Sequence, residues 1–123
     1  TNSQSIRYLD FVPDEHLGAL YRQASLYVFP SLSEGFGLPA VEAMSYGIPV
    51  LSSDRSCLPE ILKDAAVYTD PTNPEQFATA MSTILHDKQL RTLLVENGNK
   101  LIHSYSWDAL ATETLKVYQK AGA

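Results

Sequence analysis

Apolar residues follow two rhythms along this chain, and the change between them divides it. In the first part, short continuous apolar runs alternate with helically spaced ones. Residues 6–9 form a short, partly apolar run followed by a turn, which predicts a strand. Residues 14–24 set Leu17, Leu20, Tyr21 and Ala24 at helical spacing, with Asp14 and Glu15 suited to the first turn. Residues 26–29 are apolar without alternation, the pattern of a strand covered on both faces. A helix is expected over 39–46, with Pro39 near its first position and Gly47 just past its end. Strands follow at 49–52 and 65–69, with a helical turn at 58–62 between them.

After residue 72 only the helical rhythm remains. Asn73-Pro74-Glu75 is a helix start, with a side-chain cap, a proline at the first helical position and an acid behind it. Phe77, Ala80, Met81, Ile84 and Leu85 form that helix's apolar stripe. Asp87 can cap a helix carrying Leu90, Leu93, Leu94, Asn97 and Leu101, and Ser106 one with Trp107, Leu110, Ala111, Leu115 and Tyr118 on one face. The expectation is an α/β fold: a parallel sheet of about four strands with helices on both faces over residues 1–72, and a helical tail over 73–123. Such a sheet binds ligands beyond the carboxyl ends of its strands.

With 123 residues, 45% of them hydrophobic, the chain can build one domain with a modest core. Nine Lys and Arg stand against fourteen Asp and Glu, and a net charge of −5 without a basic cluster argues against nucleic acid as partner. Cys57 is the single cysteine, so no internal disulfide forms and the composition suits a reducing compartment. No apolar run approaches the roughly 20 residues that span a bilayer. The polar start, Thr1-Asn2-Ser3-Gln4-Ser5, shows no signal-peptide pattern. The expected location is cytoplasmic, at the membrane periphery if the full-length protein associates with one. The abrupt start suggests a piece of a longer protein.

The chemistry concentrates in Glu34-Gly35-Phe36-Gly37-Leu38-Pro39-Ala40-Val41-Glu42. A buried strand precedes it, a glycine-containing loop opens it and a helix begins inside it. That order presents free backbone N–H groups to an anion or a sugar hydroxyl. A carboxylate just ahead of the helix and another about one turn inside can grip hydroxyl pairs on either side of a phosphate, the shape of a nucleotide-sugar site. The bland alternative makes Glu42 a solvated helix residue, Glu34 a helix-dipole partner, and Gly35 and Gly37 turn glycines. His16, His86 and His103 read as surface residues, Cys57 as a half-buried thiol, Glu60 as a cap or ion-pair residue, and the seven tyrosines as scattered packing residues. No metal-ligand spacing stands out.

Leu26-Tyr27-Val28-Phe29-Pro30-Ser31-Leu32-Ser33-Glu34-Gly35-Phe36-Gly37-Leu38-Pro39-Ala40-Val41-Glu42-Ala43-Met44 resembles the signature of the retaining glycosyltransferases of group 1 (family four), which have the two-domain GT-B fold. The likeness continues through Gly47-Ile48-Pro49-Val50-Leu51-Ser52-Ser53-Asp54, Leu58-Pro59-Glu60-Ile61, Asp64-Ala65-Ala66-Val67, Asp70-Pro71 and Tyr105-Ser106-Trp107, nearly the whole chain. The resemblance implies the second half of a Rossmann-like, donor-binding C-terminal domain. It implies transfer of a hexosyl group, mannose or glucose, from a nucleotide sugar to a glycan or lipid-linked acceptor, with retained configuration and no metal or other cofactor. It casts Glu34 as the catalytic residue near the anomeric centre. Backbone N–H groups of Gly35, Phe36, Gly37 and Leu38 would hold sugar hydroxyls and phosphate. Glu42 would accept from the ribose hydroxyls, since a carboxylate offers a diol two acceptor oxygens. Phe11 and Val12 would border the nucleobase.

The chain departs from the family pattern in three places. Ser56-Cys57 stand where the family usually has a glycine pair, narrowing the loop that faces the donor. The Arg and Lys that neutralise the donor diphosphate match nothing here, for Arg7, Arg22 and Arg55 do not fall at those positions. The acceptor-binding N-terminal domain and two central strands are expected to lie outside the chain, so the isolated chain should be inactive and prone to self-association through its strand edges. A competing reading is a non-catalytic nucleotide-binding or interaction module, which nucleotide-sugar turnover would discriminate. A phosphoacceptor signalling domain needs an acidic cluster and a lysine at strand ends. Asp10 and Asp54 fall near such ends, but no suitable lysine follows, and Glu34 and Glu42 would go unexplained.

Overall fold

Val50–Ser53 is the central strand, and all four of its residues are buried. In the computed structural model, which describes residues 5–122, it is β2, flanked by β1 (Tyr27–Phe29) and β3 (Ala66–Thr69). The sheet has the order β1-β2-β3 and is parallel throughout, with Tyr27 opposite Val50 and Val50 opposite Ala66. The helices are α1 (Asp14–Gln23), α2 (Leu38–Ser45), α3 (Leu58–Leu62), α4 (Pro74–His86), α5 (Lys88–Ile102) and α6 (Trp107–Ala121). A 3-10 turn, Lys63–Ala65, leads into β3.

The α/β class and the parallel sheet are as expected, and one predicted strand is not formed. Residues 6–9 are irregular, and Ile6 and Tyr8 are 79% and 87% exposed. A short strand is held by ladder hydrogen bonds to a neighbour, and no described strand lies beside these residues to supply them. The locally encoded elements fare better. Asn73 accepts from the Gln76 N–H at 3.1 Å, Asp87 from the Leu90 N–H at 2.9 Å, and Ser106 from the Ala109 N–H at 3.0 Å. Each satisfies one of the four N–H groups that a helix start leaves unpaired.

Successive residues of β2 point to opposite faces, which splits the core in two. Val50 joins Tyr21 of α1, Ala40, Ala43 and Met44 of α2, and Leu58 and Leu62 of α3. Leu51 packs with Phe77 and Ile84 of α4 and Leu94 of α5, bordered by Val28 and Val67. Fully burying a Leu-sized side chain is worth about 1.5–3 kcal/mol, so β2 and the residues around it anchor the fold. Helix α5 also sends Leu101 into the first cluster. It packs on the turn before β3, where Asn97 Nδ2 donates to the Asp64 carbonyl at 3.0 Å. That closes the end where the strands begin, and the Glu34 loop follows the opposite, carboxyl end of β1.

Helix α6 is formed as its cap predicts, but no described element covers its apolar stripe, where Trp107 is 76% and Tyr118 70% exposed. Among the described residues no helix is long and apolar enough to cross a membrane.

Candidate functional site

The segment between β1 and α2 folds back over the end of β2. Glu34 is held from both sides there. The Ser31 hydroxyl donates to its carboxylate at 2.8 Å, and the Ser56 hydroxyl and Cys57 thiol donate to its carbonyl at 2.8 and 3.2 Å. The Glu34 N–H reaches the same Ser56 oxygen at 3.3 Å. Ser53, at the end of β2, donates to the Ser31 carbonyl at 2.6 Å and ties the two loops together. Phe36 stands edge-on to Tyr105 with ring centroids 5.3 Å apart, and the Tyr105 hydroxyl donates to the Ile61 carbonyl at 2.8 Å.

Just beyond Phe36 the chain turns into α2 through Gly37, which sits at φ 86° and ψ 37°. No side chain caps this helix, and no acid occupies its first turn. Among the described residues the N–H groups of Gly35, Phe36, Gly37 and Leu38 have no acceptor. An uncapped start leaves unsatisfied donors and the positive end of the helix dipole facing the loop, an arrangement that suits an anion.

Glu42 lies within α2, exposed, and accepts a hydrogen bond from the Tyr21 hydroxyl at 3.3 Å. Burial first, then the neighbouring Tyr27 and Glu42, push the Tyr21 phenol above the usual tyrosine range, which keeps it a donor. Tyr21 stacks on Tyr46 at 5.1 Å and tilts against Tyr27 at 5.8 Å. The Tyr27 phenol is likewise raised by burial first and then by the charges of Glu42 and Glu34. One aromatic side chain thus feels both carboxylates.

Arg55, beside the loop, is engaged by two carboxylates. Its Nε lies 3.1 Å from Asp54 and a terminal nitrogen lies 3.1 Å from Asp70. The N–H and hydroxyl of Thr72 and then Arg55 hold the Asp70 carboxyl down to about 2. A lowered native value means that the folded chain prefers the ionised form, so the stabilisation is present above the ordinary carboxyl pKa near 3.8 and is lost as pH falls toward 2. Asp70→Asn is therefore expected to melt lower than the native protein at neutral pH, with the gap closing over that acid window. Melting curves across pH test this, and a gap independent of pH would count against it. Among the described residues no three His, Cys, Asp or Glu side chains converge to hold a metal ion.

The family model described as glycosyl transferases group 1 matches residues 1–101. The chain belongs to this family. It is 40% identical over 114 residues to the O-antigen chain mannosyltransferase B of Escherichia coli, a match that covers 93% of this chain and 30% of that protein. It is 35% identical over 112 residues to the MMP alpha-(1->4)-mannosyltransferase of Mycolicibacterium hassiacum, covering 88% of this chain and 27% of that one. Among solved structures, sucrose-phosphate synthase from Thermosynechococcus elongatus superposes with a TM-score of 0.83 at 27% identity, over 96% of this chain and 30% of the synthase. The C-terminal domain of a group 1 family glycosyl transferase from Francisella tularensis gives 0.67 at 29% identity, over 80% of this chain and 51% of the domain. The chain spans about 30% of the length of the curated relatives it matches and corresponds to part of a GT-B C-terminal domain.

In this group 1 chain Glu34, Gly35, Phe36, Gly37 and Leu38 form the loop and helix start that follow the carboxyl end of β1, and Glu42 lies in the second turn of α2 against Tyr21. Phe11 and Val12 precede α1, with Phe11 82% exposed, and no described hydrogen bond or ring contact joins them to the Glu34 loop. Sequence reasoning singled out Ser56 only as a departure from a glycine pair and not as a partner of Glu34, and it passed over Ser31, Ser53, Tyr21 and Tyr27 as neighbours of the two glutamates. Serines and tyrosines are too common for their type to be a signal, and their partners lie far away in the chain.

Proposed function

We propose that this chain is the donor-binding part of a retaining glycosyltransferase that moves a hexosyl group from a nucleotide sugar to a glycan or lipid-linked acceptor. The observation that supports the reading is the uncapped start of α2 after the carboxyl end of β1, with Glu34 ahead of it in the chain and Glu42 about one turn inside the helix. The diphosphate would face the free N–H groups between Gly35 and Leu38. The transferred sugar would lie against Glu34, and the ribose diol against Glu42. The protein's part is to position the donor and to stabilise positive charge developing at the anomeric carbon as the diphosphate departs. Two of the similar proteins are named mannosyltransferases, which favours mannose over glucose as the transferred sugar. The whole-protein activity belongs to the full-length enzyme, of which this chain supplies the donor side.

Glu42→Ala in the complete enzyme is expected to weaken nucleoside diphosphate binding, with little change in the rate at saturating donor. Loss of a charged hydrogen-bond partner to the ribose costs about 1.5–3 kcal/mol, roughly ten- to a hundredfold in affinity. Titration calorimetry reads this directly. An unchanged dissociation constant would return Glu42 to a surface role held by Tyr21.

A further inference from the structure

We propose that Ser56, assisted by Cys57, is a positioning residue that fixes Glu34 for sugar transfer. The inference rests on the reading of Glu34 as the residue at the anomeric centre. Ser56 has φ 58°, one of three non-glycine residues with positive φ among those described. Glycine would sit there without strain, so the serine side chain is present where the backbone disfavours it. Its hydroxyl both donates to the Glu34 carbonyl at 2.8 Å and accepts from the Glu34 N–H at 3.3 Å. The Cys57 thiol, half-buried, gives that carbonyl a second donor at 3.2 Å.

The main chain of Glu34 is thus held by a loop 22 residues further along, beyond the neighbouring strand. Its carboxylate is held by Ser31, whose own carbonyl accepts from Ser53 at 2.6 Å. Both ends of Glu34 are anchored to the end of β2 and the loop that follows it. A carboxylate that acts on developing charge must be kept within about 0.5 Å of its productive place, and a glycine-flanked loop does not achieve that alone. Arg55, pinned between Asp54 and Asp70, steadies the loop that carries the clasp. Ser56 does not touch the substrate in this scheme and acts through Glu34.

Two substitutions in the complete enzyme separate positioning from fold stability. Ser56→Gly and Ser56→Ala both remove the hydroxyl, but only glycine relieves the backbone strain. The expected result is a kcat roughly tenfold lower for both, with the donor KM little changed. The melting temperature should hold or rise for Ser56→Gly and fall for Ser56→Ala. Adding Ser56→Gly to Glu34→Gln should then cost little more, because the group being positioned is already gone. A Ser56→Gly enzyme with wild-type kcat, activity that tracks melting temperature across the two variants, or a full further tenfold loss in the Glu34→Gln background would each overturn the proposal. If Glu34→Gln alone keeps near-normal activity, the reading of Glu34 fails and this inference with it. A Glu34→Gln enzyme that is impaired beside an unimpaired Ser56→Gly enzyme overturns the clasp alone.

Discussion

Glu34→Gln in the complete enzyme is expected to lower the rate of sugar transfer about a hundredfold and to leave the melting temperature nearly unchanged. Glutamine keeps the shape, and its amide oxygen can still accept from the Ser31 hydroxyl that meets the carboxylate at 2.8 Å. The backbone clasp from Ser56 and Cys57 does not involve the side chain at all. What is lost is the charge. A group placed where positive charge develops is worth about 3 kcal/mol, close to two decades in rate. Glu34→Ala removes the acceptor as well and should lose at least as much. Initial rates are to be read beside thermal melting, because an inactive variant that has unfolded says nothing about chemistry. Transfer within a few-fold of the native rate, at an unchanged melt, would take Glu34 out of the reaction and leave it the helix-dipole partner of the bland reading.

The features legible in the sequence are those whose cause is local. The caps at Asn73, Asp87 and Ser106 each reach an N–H three residues away, so residue type and spacing contain the whole interaction. The Glu34–Glu42 element was legible because its two acids, two glycines and one proline lie within nine consecutive positions. What escaped is non-local. Residues 6–9 have the composition of a strand, yet strand pairing depends on a neighbour that their own sequence does not specify. Ser56 meets Glu34 across 22 residues and Tyr21 meets Glu42 across 21, so neither contact leaves a periodic trace. The same holds for charge. Arg55 could be set aside for the diphosphate because it misses the family's position, but its capture by Asp54 and Asp70 became visible only when the ends of β2 and β3 were brought side by side.

Gly37→Ala is expected to destabilise the fold by about 2–5 kcal/mol, and Gly35→Ala to leave it almost untouched. The two glycines look equivalent in sequence and differ in cause. Gly37 holds φ 86°, where a side chain on an L-residue costs roughly 1–2 kcal/mol. A Cβ there would also come to 2.6 Å from Cδ2 of Leu58. Leu58 is fully buried in the first core cluster, so it has no open space to swing into, and overpacking of this kind costs roughly 1–3 kcal/mol more. Gly35 has no atom within 4 Å of an added Cβ and no positive φ to defend. A methyl group at Gly35 is therefore free for the fold but stands at the loop surface through which a donor phosphate or sugar would approach the N–H groups. The pair should split two measurements: melting temperature falls for Gly37→Ala alone, and nucleoside diphosphate affinity falls for Gly35→Ala without a change in melt. A Gly35→Ala protein with native stability and native affinity would show that the open face of this loop is not where the donor binds.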